Sequence, residues 1–212
     1  MAADGPTRGA AFSALRRLVP EREQGEQCEL CSAPVGPRHR HLLDPKSRQV
    51  LCSCDACGIL FSGQTATRYR LIPNRVRFLT DFQLPDELWA GLGIPVNMAF
   101  FQHSLESGQV TAFYPSPAGA TESLLTFDAW EELEAANPIL GKLEPGVEAL
   151  LVNRVGPVHR YFIAPVDECY RLVGLIRLGW RGLSGGTEVW KQVEGFFAEL
   201  RERAVTVGGE RA

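Results

Sequence analysis

No run of about 18 uninterrupted apolar residues occurs in the 212-residue sequence, so a transmembrane helix is excluded. The longest candidate, Val166 to Trp180, is broken by Asp167, Glu168, Arg171 and Arg177. Arg16 and Arg17 resemble the start of a twin-arginine export signal, but "LVPEREQGEQ" stands where an apolar segment of about 7 to 15 residues would have to follow. A cytoplasmic location is the expectation. Lysine is scarce, and the glycine-rich "WRGLSGGTEVW" has neither the lysine of a phosphate-binding loop nor the spacing of a dinucleotide fingerprint. It reads as a plain loop with Ser184 or Thr187 capping the next helix. "YPSPAGATES" contains serines but no Gly-x-Ser-x-Gly elbow, which leaves a hydrolase nucleophile unsupported. Trp89, Trp130, Trp180 and Trp190 are spread over separate elements as core anchors rather than gathered into a stacking platform, so a nucleic-acid partner is not expected.

What the chain does have is 45% apolar and 22% charged residues, enough for one sizeable core plus a small stapled module. Charge is uneven. Arg8 to Arg77 holds 12 basic against 6 acidic residues, and Phe78 onward holds 10 against 18. Such a basic front half follows from arginine-rich composition alone, or forms a face for an acidic partner or nucleic acid.

Five of the 6 cysteines lie in "CELCSAPVGPRHRHLLDPKSRQVLCSCDACGILF". In a reducing compartment such clustering points to metal rather than to disulfides. Cys28-x2-Cys31, then 22 residues, then Cys54-x2-Cys57 is zinc-ribbon spacing, in which two tight knuckles bring four thiolates to one tetrahedral ion. Zinc is the expected cofactor, with iron in a rubredoxin-like electron-transfer centre as the alternative, since tetrahedral thiolate coordination suits both. "HRHLLD" and "RQVLCSC", joined by an Asp-Pro turn, predict a hairpin between the knuckles. Gly58, directly after Cys57, is expected at positive φ.

Cys52 is the thiol that four-coordination does not require. Two residues from Cys54 in an extended strand, it projects to the same side as an alternate ligand, a redox thiol, or a small packed residue. His39 and His41 share a strand face and are further candidate ligands, though four cysteines would leave them spare. Cys169 lies among Val166, Leu172, Val173 and Ile176 and is expected in a core. His103 and His159 fall in strand-like runs without catalytic partners. A nuclease of the His-Asn-His type would draw on "HRHLLD" but lacks the later helix carrying Asn and His.

The expected organisation is a flexible arm at 1–25, a four-cysteine zinc-ribbon-like module at 26–64, an α+β domain at 65–205 and a flexible tail at 206–212. "TRYRLIP" reads as a strand and "LPDELWAGLGIP" as a short helix. "VNMAFFQHS" and "QVTAFYP" read as a hairpin turning at Gly108, followed by a "PSPAGATES" loop. A helix then presents Phe127, Trp130, Leu133 and Ala136 on one face. "VEALLVNRV" and "HRYFIAP" form a second hairpin before two closing helices. This pattern predicts a mostly antiparallel sheet with helices packed on one side.

The blocks "RHRHLLD", "IPVNMAFF", "AFYPSPAGATESLL", "DAWEELEAANPIL", "LEPGVEALLV" and "CYRLVGLIRLGWRG", together with the cysteine pattern, resemble the bacterial family DUF5947 from Cys28 to about Leu200. The resemblance implies an encoded neighbourhood beside nickel-iron hydrogenases in actinobacteria, and so a role in assembling or maturing that enzyme. It supplies no catalytic residues. The resulting expectation is a non-enzymatic accessory protein whose cysteine module binds metal and whose α+β domain meets a protein partner, a hydrogenase subunit or maturation factor.

Overall fold

The computed structural model describes residues 25–62, 68–105, 107–123 and 127–208. The expected N-terminal arm therefore lies, up to residue 24, outside the described residues. Among the described residues no helix is long and apolar enough to cross a membrane.

The cysteine segment folds around the predicted hairpin. Strands β1 (Arg40–Asp44) and β2 (Gln49–Ser53) pair antiparallel, with Leu42 opposite Leu51 and His41 opposite Cys52. The Asp-Pro turn is tied by the Arg48 N–H to the Asp44 carbonyl at 2.8 Å and by the Lys46 N–H to the Asp44 carboxylate at 3.0 Å. Helix α1 (Asp55–Ser62) follows. A two-residue strand, β3 (Arg70–Leu71), completes this small sheet on the other side of β1. The strand expected in "TRYRLIP" thus belongs to the cysteine module, six residues beyond the boundary drawn from sequence at residue 64.

The second sheet has seven strands in the order β10-β4-β9-β8-β5-β6-β7. They are β4 (Arg77–Leu79), β5 (Met98–His103), β6 (Val110–Ser116), β7 (Gly119–Ser123), β8 (Glu148–Asn153), β9 (Arg160–Pro165) and β10 (Val205–Val207). Every neighbouring pair is antiparallel except β10 with β4. The helices are α2 (Asp86–Gly91), α3 (Phe127–Ala136), a 3₁₀ turn (Pro138–Lys142), α4 (Val166–Gly179) and α5 (Gly186–Arg203). The architecture is α+β, as the sequence predicts.

Helices cover both faces of this sheet rather than one, and the strands say why. β8 is buried at every position, because Ala149 and Leu151 pack with Phe100, Phe162 and the α4–α5 pair while Leu150 and Val152 pack with Phe101, Trp130 and Leu133 on the opposite side. Consecutive apolar residues in "MAFF" and "ALLV" are the mark of a strand buried twice, whereas a sheet open to water alternates. Each fully buried Leu or Phe contributes about 1.5–3 kcal/mol, so the two cores dominate the stability of the domain.

Three further expectations are corrected. "PSPAGATES" is the β6–β7 hairpin, its turn held by the Ala118 N–H on Ser116 Oγ (3.1 Å), with Gly119 at φ 124°. Val205 to Val207, assigned mostly to the tail, form β10: the Val205 N–H reaches the Val76 carbonyl at 2.9 Å, and β-branched residues suit that edge. On α3 the inward face carries Ala129, Trp130 and Leu133 followed by Asn137, and Ala136 points to solvent. The side chain of Phe127 lies outside the described residues.

Trp89 and Trp130 are core anchors, but Trp180 and Trp190 pair edge-to-face at 6.1 Å near the surface. Gly185, not Ser184 or Thr187, precedes the first turn of α5, at φ 85°, where a Cβ would come within 3.0 Å of the Trp180 ring.

Candidate metal centre

The first Cys-x2-Cys pair forms a tight turn before β1. The Ser32 N–H reaches the Cys28 carbonyl at 2.7 Å, the Cys28 N–H reaches the Ala33 carbonyl at 2.8 Å, and Ser32 itself takes φ 60°. The left-handed residue of this knuckle is therefore a serine. Cys28 is buried and Cys31 exposed.

The second pair is built differently from the expected knuckle. Cys54 stands between β2 and α1, and Cys57 lies in the first turn of α1, where its N–H points at the Cys54 sulfur at 3.4 Å. Gly58 is helical, not at positive φ, and the reason for glycine is space: a Cβ there would stand 2.7 Å from Arg40 Cδ. Arg40 lies across this helix start and donates to Asp55 Oδ1 at 2.8 Å.

The sulfurs of Cys28, Cys31, Cys54 and Cys57 all lie within 4.8 Å of one another, with Cys31 and Cys54 at 3.7 Å. Four thiolates placed tetrahedrally at ~2.3 Å from one ion stand about 3.8 Å apart, so the donor set can hold a metal ion with little rearrangement. A hairpin with converging cysteines is compatible with a zinc ribbon.

The thiols already behave as a unit. Burial opposes charge on Cys28, yet N–H groups of Cys54, Leu30 and Cys31 aimed at its sulfur prevail and bring it down to about 6. Burial first, then hydrogen bonds with Cys31, Cys54 and Cys28, push Cys57 up to about 12. Cys31 accepts the Ala33 N–H, which favours its thiolate, but its bond to Cys28 holds it above the ordinary value. Cys28 is thus the thiol most readily ionised, while Cys31 and Cys57 are held towards their neutral forms, which cation binding would oppose.

Cys52 is no part of this set. It sits opposite His41 in the β1–β2 ladder, and together with His39 and His41 it forms a second group of donor atoms lying within 4.8 Å. The two imidazoles meet edge-to-face at 4.6 Å. Cys52 is fastened to the first knuckle through Glu29, whose carboxylate accepts the Cys52 N–H at 2.6 Å and whose own N–H donates to the Cys52 carbonyl at 2.9 Å. Burial, then the nearby Glu29 and Glu26, raise the Cys52 thiol above its ordinary value.

Several participants escape sequence reading. Asp167 Oδ2 lies 2.7 Å from His41 Nδ1 across 126 residues of chain, and this bond raises His41 while burial opposes it. Glu148, fully buried, receives Arg75 at 3.1 Å and Arg77 at 2.8 Å. Arg154, also buried, donates to the Leu84 carbonyl at 2.8 Å, pairs with Asp86 and lies over the Trp89 ring. None belongs to a local pattern; only the Asp-Glu step at the start of α4 hints at charge awaiting a partner.

Cys169 is in the core, as expected, and burial pushes its thiol well up. His103 Nδ1 stands 3.4 Å from the Gly108 carbonyl and His159 is exposed, and neither belongs to a cluster of donor atoms among the described residues.

Fold and site define a two-part α+β protein in which a cysteine-clustered hairpin module is docked against a domain with a mostly antiparallel sheet. The chain belongs to DUF5947, described as a family of unknown function, whose profile matches residues 27–204 and so spans both parts. No curated protein and no solved structure matches it.

Proposed function

We propose that this is a non-enzymatic, metal-binding accessory protein in which Cys28, Cys31, Cys54 and Cys57 hold zinc and the assembled surface binds a protein partner. The convergence of the four sulfurs, with Cys31 and Cys54 at 3.7 Å, carries this reading. Bound zinc would cross-link the first knuckle to α1; in small modules such staples contribute on the order of 10–16 kcal/mol of folding free energy. The hairpin module has few apolar residues of its own, and a staple is what a unit of that size needs.

The partner surface is supported by Ile59, Leu60 and Phe61, which stand 65%, 66% and 40% exposed on α1 just beyond Cys57 and Gly58. Contiguous exposed apolar side chains on a metal-fixed helix are the usual mark of a protein contact. The family resemblance directs the search for that partner to nickel-iron hydrogenase subunits and their maturation factors.

Metal analysis tests the reading. The purified protein should be colourless and carry zinc, and Cys28→Ser should lose it. A red protein containing iron, with a reversible visible band, would replace this reading with the rubredoxin-like one. Affinity capture from the native host, with mass spectrometry of the captured proteins, tests the hydrogenase assignment.

A further inference from the structure

The group formed by His39, His41 and Cys52 shares no ligand with the four-cysteine site, and each histidine in it is set up in the same way. His39 Nδ1 lies 2.8 Å from the Gly36 carbonyl, and His41 Nδ1 lies 2.7 Å from the Asp167 carboxylate. Both partners are acceptors, so each Nδ1 is engaged as a donor and Nε2 is the nitrogen that each ring has left to offer an ion. Metal-ligating histidines are fixed by just such a carbonyl or carboxylate on the ring nitrogen that does not bind the ion.

The Nε2 of His39 is left without a hydrogen-bond partner among the described residues. The His39 side chain is only 7% exposed, and this nitrogen is buried. An unsatisfied buried nitrogen is costly, and a bound ion is one of the few things that accounts for one. The Cys52 sulfur and one nitrogen from each ring lie within 4.8 Å of one another. Ligands of one tetrahedral ion stand about 3.3 to 3.8 Å apart, so the donors need to close in by at most about 1.5 Å. The surroundings favour a cation: Glu26 Oε2 is 3.5 Å from His39 Nδ1, Glu29 holds the Cys52 N–H, and Asp167 sits behind His41.

We propose that His39, His41 and Cys52 form a second metal site, taking a late first-row divalent ion of the zinc type through two imidazole nitrogens and one thiolate. Mixed imidazole and thiolate donors select such ions over magnesium or calcium. Three protein ligands leave one position for water or for a donor from outside the chain, whereas the four-cysteine site is closed. Cys52 is then a ligand in its own right, and Glu29, lying between Cys28 and Cys31 while holding Cys52, joins the two sites mechanically.

The test is Zn²⁺ uptake by the full chain. Wild type, Cys52→Ser, His39→Asn and Cys31→Ser proteins are saturated with Zn²⁺ and desalted, and bound zinc is counted by mass spectrometry. Circular dichroism confirms that each variant is folded. The expected result is about two ions per wild-type chain and about one in Cys52→Ser and in His39→Asn. Co²⁺ replacement provides the second readout: the thiolate-to-cobalt absorption of the four-cysteine site should survive both substitutions unchanged. Equal zinc in wild type and in both variants would overturn the second site. If the four-cysteine reading alone fails, Cys31→Ser retains as much zinc as wild type while Cys52→Ser loses its ion.

Discussion

His41 and Asp167, 126 residues apart in the chain, are joined at 2.7 Å, so that the cysteine hairpin is bonded to the first turn of α4. Around this bond the Ile72 N–H reaches the His41 carbonyl at 3.0 Å, and Leu43, Ile72, Val147 and Val166 form a small apolar seam between the two parts. The module is therefore a docked part of one structure rather than a bead on a linker.

Asp167→Asn should loosen that docking. The side chains of His41 and Asp167 are 28% and 20% exposed, so the charge-assisted part of the bond is discounted to about 1 kcal/mol. Amide hydrogen exchange should accelerate about fivefold in β1 and stay unchanged in β8. Unaltered protection in β1 would show that the apolar seam alone holds the module.

Metal uptake should release protons and depend on pH. At pH 7 Cys28, at about 6, is largely ionised, while Cys31 and Cys57 are protonated. Zinc binding by the Cys52→Ser protein should therefore expel at least about two protons per ion from those two thiols. Affinity should fall steeply as pH drops through about 6, where Cys28 also takes up a proton. A pH-independent affinity between 5 and 8, followed by competition with a chromophoric chelator, would contradict the thiolate assignment.

Glu148 has no exposed surface and holds both Arg75 and Arg77. Glu148→Gln leaves the largely buried Arg77 without its counter-charge and should cost about 3 kcal/mol. Urea unfolding of the sheet domain would show this as a lower midpoint at unchanged slope. A midpoint equal to wild type would mean that water compensates both arginines.

Leu60, 66% exposed on α1, should matter to a partner and not to the fold. Leu60→Glu should shift thermal stability by no more than about 0.5 kcal/mol and keep the bound zinc. It should abolish capture of the partner from a host extract. Capture at wild-type level would move the interface elsewhere.

How far the sequence could be read depends on the range of each signal. The paired Cys-x2-Cys motifs, the β1–β2 hairpin and the strand pairs flanking Gly108 and Gly156 are written locally, and they appear where spacing puts them. The helical conformation at Cys57 is hidden because Gly58 suits both a positive-φ turn and a helix crowded by Arg40, and only the position of β1 decides between them. Helices on both faces were foreshadowed by the unbroken "ALLV" of β8, a run that alternation rules pass over. His39 and His41 read as spare ligands to one site. Their pairing with Cys52 depends on the cross-strand register, and the carboxylate behind His41 comes from the far end of the chain.

X-ray absorption at the zinc edge of the Cys52→Ser protein, as purified, addresses the four-cysteine centre without interference from the neighbouring histidine group. The account predicts a single shell of four sulfurs at ~2.3 Å, absent from the same protein carrying Cys28→Ser. A shell of nitrogen or oxygen neighbours, or zinc retained with unchanged spectrum after Cys28→Ser, would contradict it.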